Sequence, residues 1–251
     1  MKKLILKTAW QTLAAIGFLI VVWACLYLAA GNELLVPALS DCFLEMGVLF
    51  ASGGFWIGLL MSFLRSLVAF VISFLFALIF AIIAYMVPTF ERFFAPLVSA
   101  LRSLPVLAVL LILLSVLGAA EAPVAVAFLS LFPMLYTAIL AALSGINPHM
   151  VALSRIHGAN LFTRVTRIYL PLSAPYILRE MGAALAFSLK LVVSAEVLAN
   201  TAKSLGGMMN EAKIYSEIPQ LFALVFVTFG VGLLLELSVT ILATAAEKKI
   251  K

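Results

Sequence analysis

Charge is what this chain has least of. Only 11% of its 251 residues are Asp, Glu, Lys or Arg, whereas 65% are hydrophobic. Mean hydropathy is +1.23. Soluble domains use about a quarter charged and about half apolar residues, so this composition excludes an ordinary soluble domain. Cysteine is almost absent. Cys25 lies inside an apolar run and Cys42 lies in a loop, which gives neither a disulfide framework nor a metal site. No cluster of His, Cys and carboxylates has metal-ligand spacing. No G-x-x-x-x-G-K-[ST] phosphate loop occurs, so the chain lacks that nucleotide-binding device. No segment between the apolar runs is long enough to be a catalytic domain. No catalytic residue, bound cofactor or metal is therefore expected. The net charge of +5 is spread over span ends and short loops, which speaks for membrane orientation rather than nucleic acid.

What is present is a series of long apolar runs, and such runs cross a bilayer as helices. Six spans are expected, at roughly residues 9–30, 57–85, 104–117, 124–143, 176–199 and 221–243. They form an all-α polytopic membrane protein that occupies residues 1–251 as one domain. The third run is short, and Phe93 to Ala100 can lead into it. The apolar run after MKKLILKTAW is too long for a signal peptide and is read as a retained first span. Lys2, Lys3 and Lys7 precede that span, and the stretch 31–54 carries Glu33, Asp41 and Glu45 without Lys or Arg. This asymmetry puts the N-terminus in the cytoplasm and the stretch outside. Continuing the alternation leaves the C-terminus inside, with Lys203 and Lys213 the only loop or tail cations outside.

The long polar interruption Gly145–Pro171 then faces the cytoplasm. Asn147 can cap a helix and Pro148 fits its first turn. Met150, Leu153 and Ile156 recur at helical spacing, and Gly158 is placed to end the turn. Arg155, His157, Arg164 and Arg167 make the segment basic, and Leu170-Pro171 is expected to stop the pattern. The result is a short amphipathic helix with an apolar stripe for lipid headgroups or a partner protein.

Four charges fall at membrane depth: Arg65, Lys190, Glu196 and Glu236. An intramembrane charge is costly and points to function, so these four are the candidates for a translocation path. Lys190 either attracts an anionic solute or pairs across helices, with Glu236 or with Glu196 of a second copy. It does not share a face with Glu196, which lies about 240° around the helix and about 9 Å along it. Arg65 either snorkels or pairs with an outer carboxylate. Glu196 is either a gate residue or a cap for the glycine-rich loop that follows. Gly206, Gly207 and Met208 in that loop are candidates for an outer gate. Ser188 and Ser194 face either the path or a neighbouring helix.

Several motifs add a resemblance. Gly158, Ile168, Leu170 and Pro171 fall on the Gly…Ile-x-Leu-Pro signature in the cytoplasmic loop of ABC-importer permeases. Ser62-Phe63-Leu64-Arg65, Leu101-Arg102-Ser103-Leu104-Pro105, Ser194-Ala195-Glu196 and Ser204-Leu205-Gly206-Gly207 resemble elements of the nitrate/sulfonate/taurine/bicarbonate-type branch. Ala152-Leu153-Ser154 stand where the family usually has Glu-Ala-Ala. The resemblance implies the type I permease fold in the bacterial cytoplasmic (inner) membrane. It implies a second copy as homodimer partner, two ATPase subunits that carry ATP and Mg, and an extracytoplasmic substrate-binding protein. It assigns ATPase coupling to Met150, Leu153, Arg155, Ile156, His157, Gly158, Ile168, Leu170 and Pro171. The function expected is import of a small anionic or zwitterionic solute. The alternatives are a permease of the same fold for an uncharged or cationic solute, such as a vitamin precursor, and a channel or secondary transporter working without ATPases.

Overall fold

The computed structural model describes residues 2–147, 149–150 and 160–250. The described residues form helices α1 (Lys2–Ala30), α2 (Leu39–Ala51), α3 (Gly53–Met86), α4 (Pro88–Ser103), α5 (Val106–Leu117) and α6 (Ala122–Ser144). Then come α7 (Leu161–Arg164), a π-helical turn (Val165–Tyr169), α8 (Leu170–Ala199), α9 (Leu205–Ile214) and α10 (Ile218–Ile250). Among the described residues, four helices are long and apolar enough to cross a membrane: α3, α6, the run Phe162–Ala199 and Ile218–Ala243. Gly17–Ala30 of α1 is a shorter apolar helix. A fifth crossing requires α4 and α5 together, and these meet at 90°. Pro105 causes the corner: it holds Leu104 extended (φ −64°, ψ 131°) and so ends α4. The expected lead-in to the third span is therefore turned through a right angle.

The core is organised by α3. Besides Phe55 and Phe70, its buried residues are all small: Gly58, Ser62, Ser66, Ala69, Ser73, Ala77, Ala81 and Ala84. They recur three or four apart and so line one face. Small residues let helix backbones approach closely where apolar lipid supplies no hydrophobic drive between helices. α6 and α8 pack into this seam, and the Ser188 hydroxyl donates to the Ser66 carbonyl across it at 2.8 Å. Large side chains on the opposite face of α3, such as Leu64, Leu75 and Ile79, remain exposed, as a lipid-facing surface requires. α4 lies across the seam's end. Its Phe94 stacks on Phe80 at 5.0 Å and meets Tyr136 of α6 edge-on at 5.5 Å.

The stop expected at Leu170-Pro171 does not occur. One helix runs through them to Ala199. The π turn carries the chain into α8, with the Leu170 N–H bonded to the Val165 carbonyl. Pro171 then falls in the first turn of α8, where a ring with no N–H is tolerated. The turn is pinned by Tyr169, which is 2% exposed. Its hydroxyl accepts from Arg164 at 2.7 Å and its ring meets Tyr85 of α3 edge-on at 5.2 Å. At the other end Asn200 adopts a left-handed conformation (φ 49°) and closes α8.

Candidate functional site

Two features of the membrane-spanning bundle carry chemistry. The first sits where α3, α8 and α9 meet. Ser62 and Arg65 are three apart on α3, so both side chains reach the same neighbour. That neighbour is Glu196, near the end of α8. Arg65 Nη1 lies 2.9 Å from Glu196 Oε1. The Ser62 hydroxyl donates to Glu196 Oε2 at 2.6 Å, and the Gly206 N–H donates to the same oxygen at 3.3 Å. Ser62 Oγ in turn accepts the Leu205 N–H at 2.9 Å. Glu196 is 0% exposed and its partner Arg65 only 14%. A carboxylate so buried persists only when its oxygens are satisfied by donors and a countercharge. All of these are supplied here: Ser62 and Arg65 of α3 provide two of the donors, and the Gly206 N–H in the first turn of α9 provides the third.

That first turn is the glycine pair expected to form an outer gate loop. It is helical rather than a loop. Ser204 is its N-cap, accepting the Gly207 N–H at 2.8 Å while donating to the Thr201 carbonyl at 2.7 Å. Any side chain at Gly206 would put its Cβ 2.4 Å from Glu196 Cβ and 2.5 Å from the Val197 nitrogen. At Gly207 it would meet the Thr201 carbonyl oxygen at 2.2 Å. The glycines are thus required by close approach. Met208 packs toward Gly58 of α3, whose added Cβ would lie 3.2 Å from its sulfur.

The second feature is Lys190. Glu196 faces the bundle, whereas Lys190 is exposed on the other side of α8. It has no carboxylate within ion-pair distance among the described residues, where Arg65–Glu196 is the one salt bridge. Glu236 of α10 is exposed nearby but unpaired with it, and Lys190 Cε instead lies 3.8 Å from the Cβ position of Gly232. The intrachain Lys190–Glu236 pair is not formed. Glu196, the other carboxylate expected to pair with it, is buried and bonded within its own chain to Arg65 and Ser62. Lys190 borders an open pocket of about 230 Å³ with Ser194 of α8 and Val225, Thr228 and Phe229 of α10. The four intramembrane charges expected along one path therefore separate into a buried pair and two exposed, unpaired groups.

The polar loop between α6 and α7 is described only at its ends. The Asn147 side chain accepts the His149 N–H at 2.9 Å, as a cap does, and Met150 is exposed. Leu153, Arg155, Ile156, His157 and Gly158 lie outside the described residues. Ile168 sits in the π turn, and Leu170 and Pro171 open α8. Sequence reading did not anticipate the join between Arg65 and Glu196. They are 131 positions apart, and only the Ser62–Arg65 spacing hinted at a shared partner. It also passed over Arg179, an exposed cation on the same helix as Lys190.

A helical bundle with a small-residue seam, exposed apolar flanks and charges inside its spans is a multi-pass membrane protein. Residues 73–251 match the family described as binding-protein-dependent transport system inner membrane component, and the chain belongs to that family. A probable ABC transporter permease protein of Brucella melitensis biotype 1 is 31% identical over 137 residues, 54% of this chain and 55% of that protein. A probable ABC transporter permease protein of Brucella abortus strain 2308 is 31% identical over 137 residues, covering 54% of each. The chain thus spans about half the length of the curated relatives it matches. An amino acid ABC transporter crystallised with histidines superposes at TM-score 0.62 with 18% identity, over 82% of this chain and 96% of that one. A bacterial alginate ABC transporter in complex with an alginate pentasaccharide-bound periplasmic protein superposes at TM-score 0.66 with 14% identity, over 93% of each chain. The fold is that of ABC-importer permeases.

Proposed function

We propose that this chain is the transmembrane permease subunit of an ABC importer in the bacterial cytoplasmic membrane. Two copies enclose a solute path, two ATPase subunits engage the loop between α6 and α7, and an extracytoplasmic binding protein delivers solute at the α9 end. The family match supports the permease role, and the continuity of the helix from Phe162 to Ala199 supports the coupling route. A displacement at the loop reaches Lys190 and Glu196 without crossing a break. ATP and the loaded binding protein must bind the outward-open state better than the inward-open one, or nothing is shifted. Arg65 and Glu196 hold α9 in place at the outer end, and Lys190 faces the solute.

The solute is small and anionic or zwitterionic, of the sulfonate, nitrate or taurine kind. Solved relatives with this fold include transporters of amino acids, methionine and alginate, so the fold alone does not choose. Lys190 supports the anion: it is the observation that carries the reading, a cation deep in α8 with no partner among the described residues. In proteoliposomes holding the whole complex, Lys190→Met should lower uptake of the true substrate by about 10-fold, the loss of a charge-assisted contact. Unchanged uptake would favour an uncharged or cationic solute. A tagged chain should copurify with its ATPase, and Gly158→Asp should weaken that association. A chain that brings down no ATPase would be an ATP-independent transporter instead.

A further inference from the structure

We propose that the open face of α8 is the wall along which the anion travels, and that Arg179 is a second cationic station below Lys190. This rests on the importer reading above. α8 packs against α3, α6, α9 and α10, and one stripe along it stays exposed. Tyr176, Arg179, Ala183, Phe187, Lys190 and Ser194 are exposed on it. They recur three or four apart, so they form a single stripe along the helix.

Arg179 and Lys190 are eleven residues apart in the numbering, about 20° around the helix and about 16 Å along it. Measured from Asn200, Lys190 lies about 15 Å down and Arg179 about 31 Å down, so one sits near the middle of a hydrocarbon core of about 30 Å and the other at its far edge. Neither has a carboxylate within ion-pair distance among the described residues. A helix face with a cation near mid-membrane is a poor lipid face, because such residues turn to a bundle interior or a wet cavity.

The surroundings of Arg179 fit a solute mouth. An open cavity of about 710 Å³ is bounded by Tyr176, Arg179 and Glu180 of α8 and by Thr137, Ala138 and Ala141 of α6. Apart from Met134 the wall from α6 is built of small residues, and the charged groups all come from α8. The planar guanidinium grips a carboxylate, sulfonate or phosphate-like oxyanion through paired N–H groups, which a spherical ammonium does not. Glu180 borders the same cavity but points about 80° away from the Lys190 line, toward α6. Its negative charge shortens the anion's stay at Arg179. A path conducts only if each station holds its solute weakly enough to release it.

The test reads the field on this face without needing the natural substrate. In the intact complex in membrane vesicles, Cys25→Ser and Cys42→Ala remove the native thiols, and Ala183→Cys places one between the two cations. Modification rates are compared for a sulfonate-bearing and a trimethylammonium-bearing methanethiosulfonate. With each rate taken relative to that reagent's rate with a small free thiol, the anionic reagent should be favoured by about 10-fold. Arg179→Gln and Lys190→Gln should each cut that preference, Arg179→Lys should preserve it, and Glu180→Gln should raise it. A thiol at Leu75, on the lipid-facing side of α3, should react with neither reagent. An Ala183 thiol as unreactive as the one at Leu75 would overturn the proposal, and so would a preference that Arg179→Gln leaves unmoved. Labelling requires no turnover, so a failure to find an associated ATPase would refute the importer reading while leaving this result legible.

Discussion

At the scale of single residues, the Glu196 carboxylate is the most constrained group in the bundle. Removing its countercharge by Arg65→Met leaves an ionised group buried among helices, at a cost of about 3–5 kcal/mol. Glu196→Gln strands the guanidinium instead, at a similar cost. The double substitution should cost clearly less than the sum, because neither charge is then left alone. Unfolding of the purified protein in detergent, followed as a double-mutant cycle, measures this. Gly206→Ala should be more damaging than Gly58→Ala. Its methyl would press on the backbone of α8 at 2.5–2.6 Å, whereas the methyl at position 58 meets the flexible end of Met208 at 3.2 Å and the Ser204 backbone at 3.3 Å. Thermal stability of the two variants should rank accordingly. Little of this was legible from the chain alone. A charge inside a span announces that it matters, but its partner lies on another helix, and helical periodicity says nothing about which helices touch. Lys190 and Glu196 were separable because both sit on one helix, where geometry follows from counting.

At the scale of elements, the π turn Val165–Tyr169 decides how the polar loop is joined to the bundle. A π turn holds one residue more than the α-helix it interrupts. Deleting Thr166, whose side chain is bonded only to the Phe162 carbonyl, should restore α-helical register. It should also rotate everything before it by about 100° relative to α8. On the proposed coupling route the complex should still assemble and hydrolyse ATP, but the solute-loaded binding protein should no longer stimulate hydrolysis. Phosphate release with and without loaded binding protein reads this directly. The element was misread in sequence because Leu-Pro normally signals a stop. The signal fails here because the π turn ahead of Pro171 leaves the proline in a first turn. The α4–α5 corner was missed for the opposite reason. Pro105 was present, but apolar residues on both sides masked a break that the hydropathy of the run does not register.

At the scale of the whole molecule, composition alone specified an all-helical membrane protein. Length and apolarity identify four crossing helices, a bent pair and the shorter apolar stretch of α1. What hydropathy could not supply is which side of each helix meets lipid. The division came from residue size along α3, small inward and large outward except at Phe55 and Phe70. Sidedness is testable directly. A fluorescent protein fused after Lys251 should fluoresce, since the tail is expected in the cytoplasm. Alkaline phosphatase fused in the turn at Tyr215–Ser216 should be active, since that turn is expected outside. The opposite pattern would invert the assignment of the polar loop to the ATPase side.

The unbroken run Phe162–Ala199 is also a lever. Its 38 residues span about 57 Å, so tilting it by about 5° swings one end past the other by about 5 Å. The Tyr169–Tyr85 contact near one end is a natural fulcrum, and Glu196, with α9 strapped to it, rides close to the far tip. On the proposed coupling route, a small push delivered beside the fulcrum is therefore geared up at the α9 end, and the outer part of α3 moves with it through its contacts to Glu196. The stiffness of the shaft, rather than the strength of any one contact along it, sets how much of that stroke arrives.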